Sequence, residues 1–145
     1  MLIVAGIVMV LDQLTKSIVR ASIRPGDRRQ VLAGILDITN SHNKGVAFGA
    51  LAGGGAIVAA LTGLALGALL VYFVLRSRTP HLWLPVGLLL GGALGNLADR
   101  ARMGSVTDFI DPRLWPAFNL ADACVVCGVL ILLWVIEGAS PSPSR

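Results

Sequence analysis

The chain has 145 residues, 55% of them hydrophobic and 14% charged, with a formal net charge of +4 and a mean hydropathy of +0.78. That balance excludes an ordinary soluble domain of this size, in which about a quarter of the residues carry charge, and places the chain in a bilayer.

Crossing the hydrocarbon core as a helix takes about 20 apolar residues, and four runs are long enough: about 1–21, 56–75, 80–98 and 119–137. The first carries Asp12 and Lys16 as polar intrusions. Its opening stretch has the length of a signal-peptide core, but no basic segment precedes it and Asp12, Gln13 and Lys16 follow, so it is expected to stay in the protein as a span. Residues 22–43 are too many for a tight connection. They hold the turn signal Pro25-Gly26-Asp27 and then mix β-branched and polar residues through Asn40, which predicts short extended segments at the membrane interface. Asn43-Lys44-Gly45-Val46-Ala47-Phe48 leads into a short surface helix expected over 49–52, and Gly53-Gly54-Gly55 makes the break before the second span. The third span stops abruptly at Asp99 and Arg100, and the fourth holds Asp122 in its first turn. Residues 140–145 alternate serine and proline and read as a disordered tail, leaving 1–139 as a single polytopic domain.

Gly63 and Gly67 form one small-residue pair, and Gly87, Gly91 and Gly95 form a row at four-residue spacing; both faces are expected to pack closely against other helices. Continuing the row by four reaches Asp99, which puts that carboxylate at the end of a packed face rather than toward lipid. Phe109, Trp115 and Phe118 on one side, and Tyr72, Trp83 and Trp134 on the other, suit interfacial belts. Cys124 and Cys127 share a helical face in apolar surroundings and read as small buried hydrophobes, not as a disulfide or zinc ligands.

Of the eight acids, all but Glu137 gather at one face of the membrane, four of them as Asp99, Asp108, Asp111 and Asp122. A carboxylate at the centre of a span costs at least ~2.5 kcal/mol, so such residues are functional candidates. Three have plainer explanations. Asn119 is placed to cap the last helix, which puts Asp122 at the third helical position of a capping box. Asp99 can pair with Arg102 one turn on, and Asp111 before Pro112 reads as a turn residue. Asp108 lies in the apolar stretch Val106-Thr107-Asp108-Phe109-Ile110, where an unpaired acid gains nothing. Two carboxylates together at a low-dielectric site cannot both ionise easily, so one holds a proton while the other acts as a base. Such a pair can activate water against a peptide carbonyl with no nucleophilic side chain or metal. His42 and His81 lie in loops, and no serine or lysine has a matching partner. Spacing leaves open whether Asp99 or Asp108 joins Asp122.

Five segments, in order, resemble the lipoprotein signal peptidase (signal peptidase II) family over nearly the whole chain: Leu11-Asp12-Gln13-Leu14-Thr15-Lys16, Asn43-Lys44-Gly45-Val46-Ala47-Phe48, residues 91–100 ending in Asn96-Leu97-Ala98-Asp99-Arg100, Val106-Thr107-Asp108-Phe109, and Phe118-Asn119-Leu120-Ala121-Asp122. The resemblance implies a catalytic pair of Asp108 and Asp122. It implies that Asn96, Asp99, Arg100 and Asn119 hold the site, with Asn43 near substrate and Asp12 close by. It implies an all-α membrane fold of four transmembrane helices with a small extracytoplasmic β-cradle and a short interfacial helix. The activity implied is that of an aspartyl endopeptidase that needs no cofactor or metal. It cuts a bacterial prolipoprotein on the N-terminal side of a diacylglyceryl-modified cysteine, in the cytoplasmic (inner) membrane with the site toward the extracytoplasmic face.

The partners expected are the lipid-modified precursor and membrane lipids, with no nucleic acid, and a monomer is sufficient. A proton-coupled transporter would spread its acids through the membrane's depth rather than collect them at one face. A scaffold packed through glycine rows leaves Asp108 without a reason. Charge opposes the family's orientation. Lys16, Arg20, Arg24, Arg28, Arg29, Lys44, Arg100, Arg102 and Arg113 share the side of the acids, and nine cations there favour a cytoplasmic placement. The expected resolution is that many of these cations serve the fold or meet anionic headgroups.

Overall fold

The computed structural model describes residues 1–32, 34–44, 55–76 and 80–138, with the side chains of 55–59 left aside. The expected surface helix over 49–52 and the tail 140–145 lie outside the described residues. Four long helices carry the fold: α1 (Leu2–Ser22), α2 (Gly55–Leu75), α3 (Trp83–Met103) and α4 (Leu120–Gly138). Between them lie three strands, β1 (Arg28–Leu32), β2 (Leu36–Asn43) and β3 (Val106–Pro112), in one antiparallel sheet of order β1-β2-β3. The chain is therefore helix-rich with a small sheet. By length and composition α1 and α4 are the helices apolar enough to cross a membrane among the described residues.

The helices are amphipathic in the inverted sense. In α1 the buried stripe is Ala5, Val8, Asp12, Lys16 and Val19, so the charged side chains point inward. The outward stripe is Ile3, Ile7, Val10, Leu14 and Ile18. In α4 Ala121, Gly128 and Val135 face inward while Leu130, Leu133 and Trp134 are exposed. A surface this apolar is stable against lipid and not against water.

The glycine row does what its spacing predicts. A Cβ on Gly87 would sit 2.9 Å from the Met1 carbonyl oxygen, one on Gly91 2.6 Å from that of Ala5, and one on Gly95 2.6 Å from Asp12 Oδ2. The same three positions meet the side chains of Val4, Val8 and Asp12, a matching step of four along α1, so the two helices run parallel in close contact. On the other side of α3, a Cβ on Gly92 would lie 2.5 Å from the Ala121 carbonyl oxygen, and Gly128 seats against Leu88 and Leu89. These contacts run in opposite order, so α3 and α4 are antiparallel. The Gly63 and Gly67 pair does not behave this way. Nothing among the described residues lies within 4 Å of a Cβ at either, because α2 meets only α3 among the described elements.

Three other expectations change. Phe109 is buried in a cluster with Val19 and Ile23, against Ile38, Ile110 and Leu120, because β3 turns its aromatic ring onto the end of α1 rather than toward headgroups. Asp111 is a strand residue, not a turn residue; it sits opposite Asp37 and its Oδ2 is 3.2 Å from Arg28 Nη1. Cys124 and Cys127 are free thiols, but Cys127 is exposed on the outer face of α4.

The sheet grows where loop one was expected to be extended. β1 and β2 form a hairpin, and β2 pairs with β3 from Leu36 opposite Pro112 to Asn43 opposite Val106. An extra residue in β2 between Ile38 and Ser41 makes a bulge. Asn40 ties this bulge to α1 by donating from Nδ2 to the Ile23 carbonyl at 2.8 Å. The sheet is thus fixed to the end of the bundle where Lys16, Asp99 and Asp122 lie.

Candidate active site

Asp108 is delivered by the reversal after α3. Gly104 adopts φ 69°, a left-handed conformation that glycine takes without strain, and its N–H closes on the Arg100 carbonyl. The chain then returns as β3, and the Thr107 N–H donates to Asp99 Oδ2 at 3.1 Å. Across the sheet Asp108 faces Ser41. Beyond the turn at Trp115, Phe118 pairs back onto Ile110. This fold-back places the start of α4 beside Asp108.

The first turn of α4 is a reciprocal capping box. Asn119 Oδ1 accepts from the Asp122 N–H at 3.0 Å, and Asp122 Oδ2 accepts from the Asn119 N–H at 3.2 Å. The cap also ties the two acids together. With its oxygen used by the helix, Asn119 must offer its NH2 group elsewhere, and Nδ2 donates to Asp108 Oδ1 at 2.7 Å. Asn43 Nδ2 donates to Asp108 Oδ2 at 3.0 Å, and Asn96 Nδ2 donates to Asp122 Oδ1 at 2.7 Å. Capping and clustering were alternative explanations of Asp122; the geometry satisfies both at once.

Burial pushes the Asp108 carboxyl above the ordinary carboxylate range. The charge of Asp122 adds to the rise, while the amides of Asn43 and Asn119 and the charge of Lys16 oppose it.

Asp12 and Asp99 stand one layer behind the pair. Asp12 Oδ2 is 2.8 Å from Lys16 Nζ, and its Oδ1 accepts from the Ala121 N–H at 3.0 Å. Asp99 meets Lys16 at 3.2 Å and Arg20 at 3.8 Å and accepts from Gln13 Nε2 at 3.1 Å. The expected pairing of Asp99 with Arg102 does not form; Arg102 donates to Gln13 instead, because Asp99 faces α1. Arg100 shares with Asp122 the wall of a cavity of about 440 Å³, and its Nε is buried with no hydrogen bond among the described residues. That cavity lies between α2, α3 and α4. Leu66, Leu69, Leu89 and Val125 belong to its apolar wall, and Thr62, Asn96, Arg100 and Asp122 are its polar lining. A larger cleft of about 950 Å³ over the outer half of the sheet, near Arg28, Asp111 and Trp115, includes neither Asp108 nor Asp122 in its lining.

Sequence reasoning named the acids and asparagines but left Lys16, Gln13 and Thr107 out of the site. Lys16 is completely buried, at 0% exposure. Its signal in the sequence was a cation inside an apolar run, four residues after Asp12.

Long helices with lipid-compatible surfaces, joined at one end around a buried cluster of acids and amides, define an integral membrane protein with a carboxylate site. The family model described as signal peptidase (SPase) II matches residues 4–137, and the chain belongs to that family. Membership makes it a membrane-bound signal peptidase, a hydrolase of peptide bonds. The lipoprotein signal peptidase of Moorella thermoacetica is 44% identical over 134 residues, covering 92% of this chain and 89% of the relative. That of Pelotomaculum thermopropionicum is 40% identical over 144 residues, covering 99% and 95%. A solved bacterial membrane enzyme, determined by the in meso method, superposes with a TM-score of 0.82 at 34% identity over 95% of this chain and 92% of that one. A second, by the same method, gives 0.80 at 33% identity over 99% and 93%.

Proposed function

We propose that the chain is an intramembrane aspartyl endopeptidase. It removes signal peptides from bacterial prolipoproteins and cuts on the N-terminal side of a diacylglyceryl-modified cysteine. Asp108 and Asp122 are the reacting pair. The observation that carries this is the Asn119 bridge, with one end of the amide in the Asp122 capping box and the other on Asp108. Asp108, raised by burial, keeps its proton and hydrogen-bonds the scissile carbonyl. Asp122 in its ionised form takes a proton from water as the oxygen attacks. The tetrahedral adduct collapses when the leaving nitrogen receives a proton, which returns the pair to its starting state.

The helices near 1–21, 56–75, 80–98 and 119–137 are the four spans of a single domain, 1–139. A 21-residue helix such as α2 or α3 measures about 31 Å, the thickness of the hydrocarbon core. The apolar cavity between α2, α3 and α4 opens beside Asp122 and suits an apolar segment of the precursor. Asn43, which donates to Asp108, lies near the substrate, and Arg100 on the cavity wall supports the site.

The site faces the extracytoplasmic side of the cytoplasmic membrane, against the count of cations. Several of those cations are paired within the fold: the buried Lys16 and the partly buried Arg20 lie on the acids behind the site, and the exposed Arg28 and Arg113 reach Asp111 and Asp37. Arg29 and Arg102 are engaged by the Ser22 carbonyl and Gln13. Cations neutralised in this way weigh little in orienting the helices. The molecule works as a monomer among membrane lipids.

The test incubates purified protein with a diacylglyceryl-modified precursor and follows release of the signal peptide. Asp108→Asn and Asp122→Asn should each abolish release, and native turnover in either variant refutes the pair.

A further inference from the structure

Lys16 takes no part in the chemistry described above, yet it is a wholly buried cation at the centre of the polar cluster. Its ammonium has three protons and meets three acceptors: Asp12 Oδ2 at 2.8 Å, Asn96 Oδ1 at 2.8 Å and Asp99 Oδ2 at 3.2 Å. Each acceptor leads on to the reacting pair. Asp12 receives the N–H of Ala121, the residue before Asp122. Asp99 receives the N–H of Thr107, the residue before Asp108. Asn96 reaches Asp122 itself, from Nδ2 to Oδ1 at 2.7 Å.

The Asn96 link has a directional consequence. A primary amide offers a donor at one end and an acceptor at the other, and its own torsion barely distinguishes the two. A lysine ammonium only donates, so whichever end of Asn96 faces Lys16 must be the oxygen. The NH2 end is then left to face Asp122, where a donor favours the ionised carboxylate. With the amide reversed, its oxygen would confront Asp122, and only a protonated carboxyl would satisfy that contact.

We propose that Lys16 is a positioning residue for the peptidase reaction: by holding the oxygen of Asn96 it fixes the amide so that Asp122 is presented as the ionised member of the pair. This rests on the reading of Asp108 and Asp122 as the reacting carboxylates. The charged groups around Lys16 are Asp12 from α1, Asp99 from α3, Asp108 from β3 and Asp122 from α4, with Arg20 of α1 beyond Asp99. Asp12 and Asp99 hold the ammonium in place, and Asn96 carries its effect to the reaction.

The test uses the purified protein in lipid bilayers with a diacylglyceryl-modified precursor and steady-state rates over a range of precursor concentrations. The variants are Lys16→Met and the charge-balanced Asp12→Asn/Lys16→Met, each with and without Asn96→Ala. The balanced variant guards against unfolding, since removing both members of a buried ion pair is far better tolerated than removing one. Loss of Lys16 should lower kcat roughly 10–100-fold with KM nearly unchanged, as expected when a supporting group is removed. In the Asn96→Ala background the same loss should cost less than about threefold, because the amide that transmits it is gone. The acid limb of the rate profile should move to higher pH in Lys16→Met and stay in place when Asn96 is also absent. A full cost or a full pH displacement in the Asn96→Ala background overturns the proposal, because Lys16 then acts through charge or packing alone. Native kcat in the balanced variant overturns it as well. Turnover by Asp108→Asn or Asp122→Asn, measured alongside, counts against the pair and not against Lys16.

Discussion

Asn119 performs two tasks with the two ends of one amide, and two substitutions separate them. Its side chain is completely buried, with Oδ1 on the Asp122 N–H and Nδ2 on Asp108. Serine keeps a capping oxygen but has no donor long enough to reach Asp108. Alanine loses both functions. A helix cap contributes about 1 kcal/mol, and leaving the buried Asp108 oxygen without its donor costs about 1–3 kcal/mol. Asn119→Ser and Asn119→Ala should therefore lose activity alike, by roughly 10–100-fold at about 1.4 kcal/mol per tenfold. They should differ in stability, with alanine about 1 kcal/mol the weaker. Signal-peptide release and thermal unfolding, both measured in the same detergent, give the two quantities. If Asn119→Ser cleaves at the native rate, the contact to Asp108 does no catalytic service and the bridge argument fails.

Gly95→Ala should be far more damaging than its size suggests. Its methyl would meet Asp12 Oδ2 at 2.6 Å and displace the carboxylate from Lys16 and Ala121, costing about 1–3 kcal/mol by overpacking; a native unfolding midpoint with native turnover would contradict this. The raised Asp108 carboxyl predicts a second pH effect. Its proton is held more tightly in the folded than in the unfolded chain, so its contribution to stability is full at low pH and is lost as pH rises through the folded value. Asp108→Asn should therefore gain stability relative to the native protein as pH rises above about 4; denaturation curves across pH check this, and a constant difference would oppose it. For topology, Leu114 is 99% exposed at the far corner of the sheet. With Cys124 and Cys127 replaced by alanine, Leu114→Cys should react with an impermeant thiol reagent added outside intact cells, and protection there with labelling only after lysis would reverse the assigned orientation.

Parts of the site were legible because they obey short-range rules. Asn119 and Asp122 are three apart, the spacing of a capping box, and the box is present. Gly87, Gly91 and Gly95 repeat every four residues, and they form a contact face. The extended character of loop one came from its β-branched residues and its turn signal, and β1 and β2 occupy it. Where the rules offered a local partner and the fold supplied a distant one, the reading changed. Asp99 was matched with Arg102 on its own helix, but α1 docks on that face and brings Lys16 and Gln13. Phe109 suited a headgroup belt, but β3 lies over Val19 and Ile23 and buries it.

By itself, then, the sequence determined the membrane setting, the helical segments, the extended character of loop one, the capping box and the glycine face, since each depends on residues a few positions apart. Its family resemblance named the acids. Only the tertiary structure decided what those acids touch. Lys16 and Asn96 are 80 positions apart, and their contact exists because the small residues of α3 let α1 approach to backbone distance. The parallel register of the two helices then brings the ammonium level with the amide that faces Asp122.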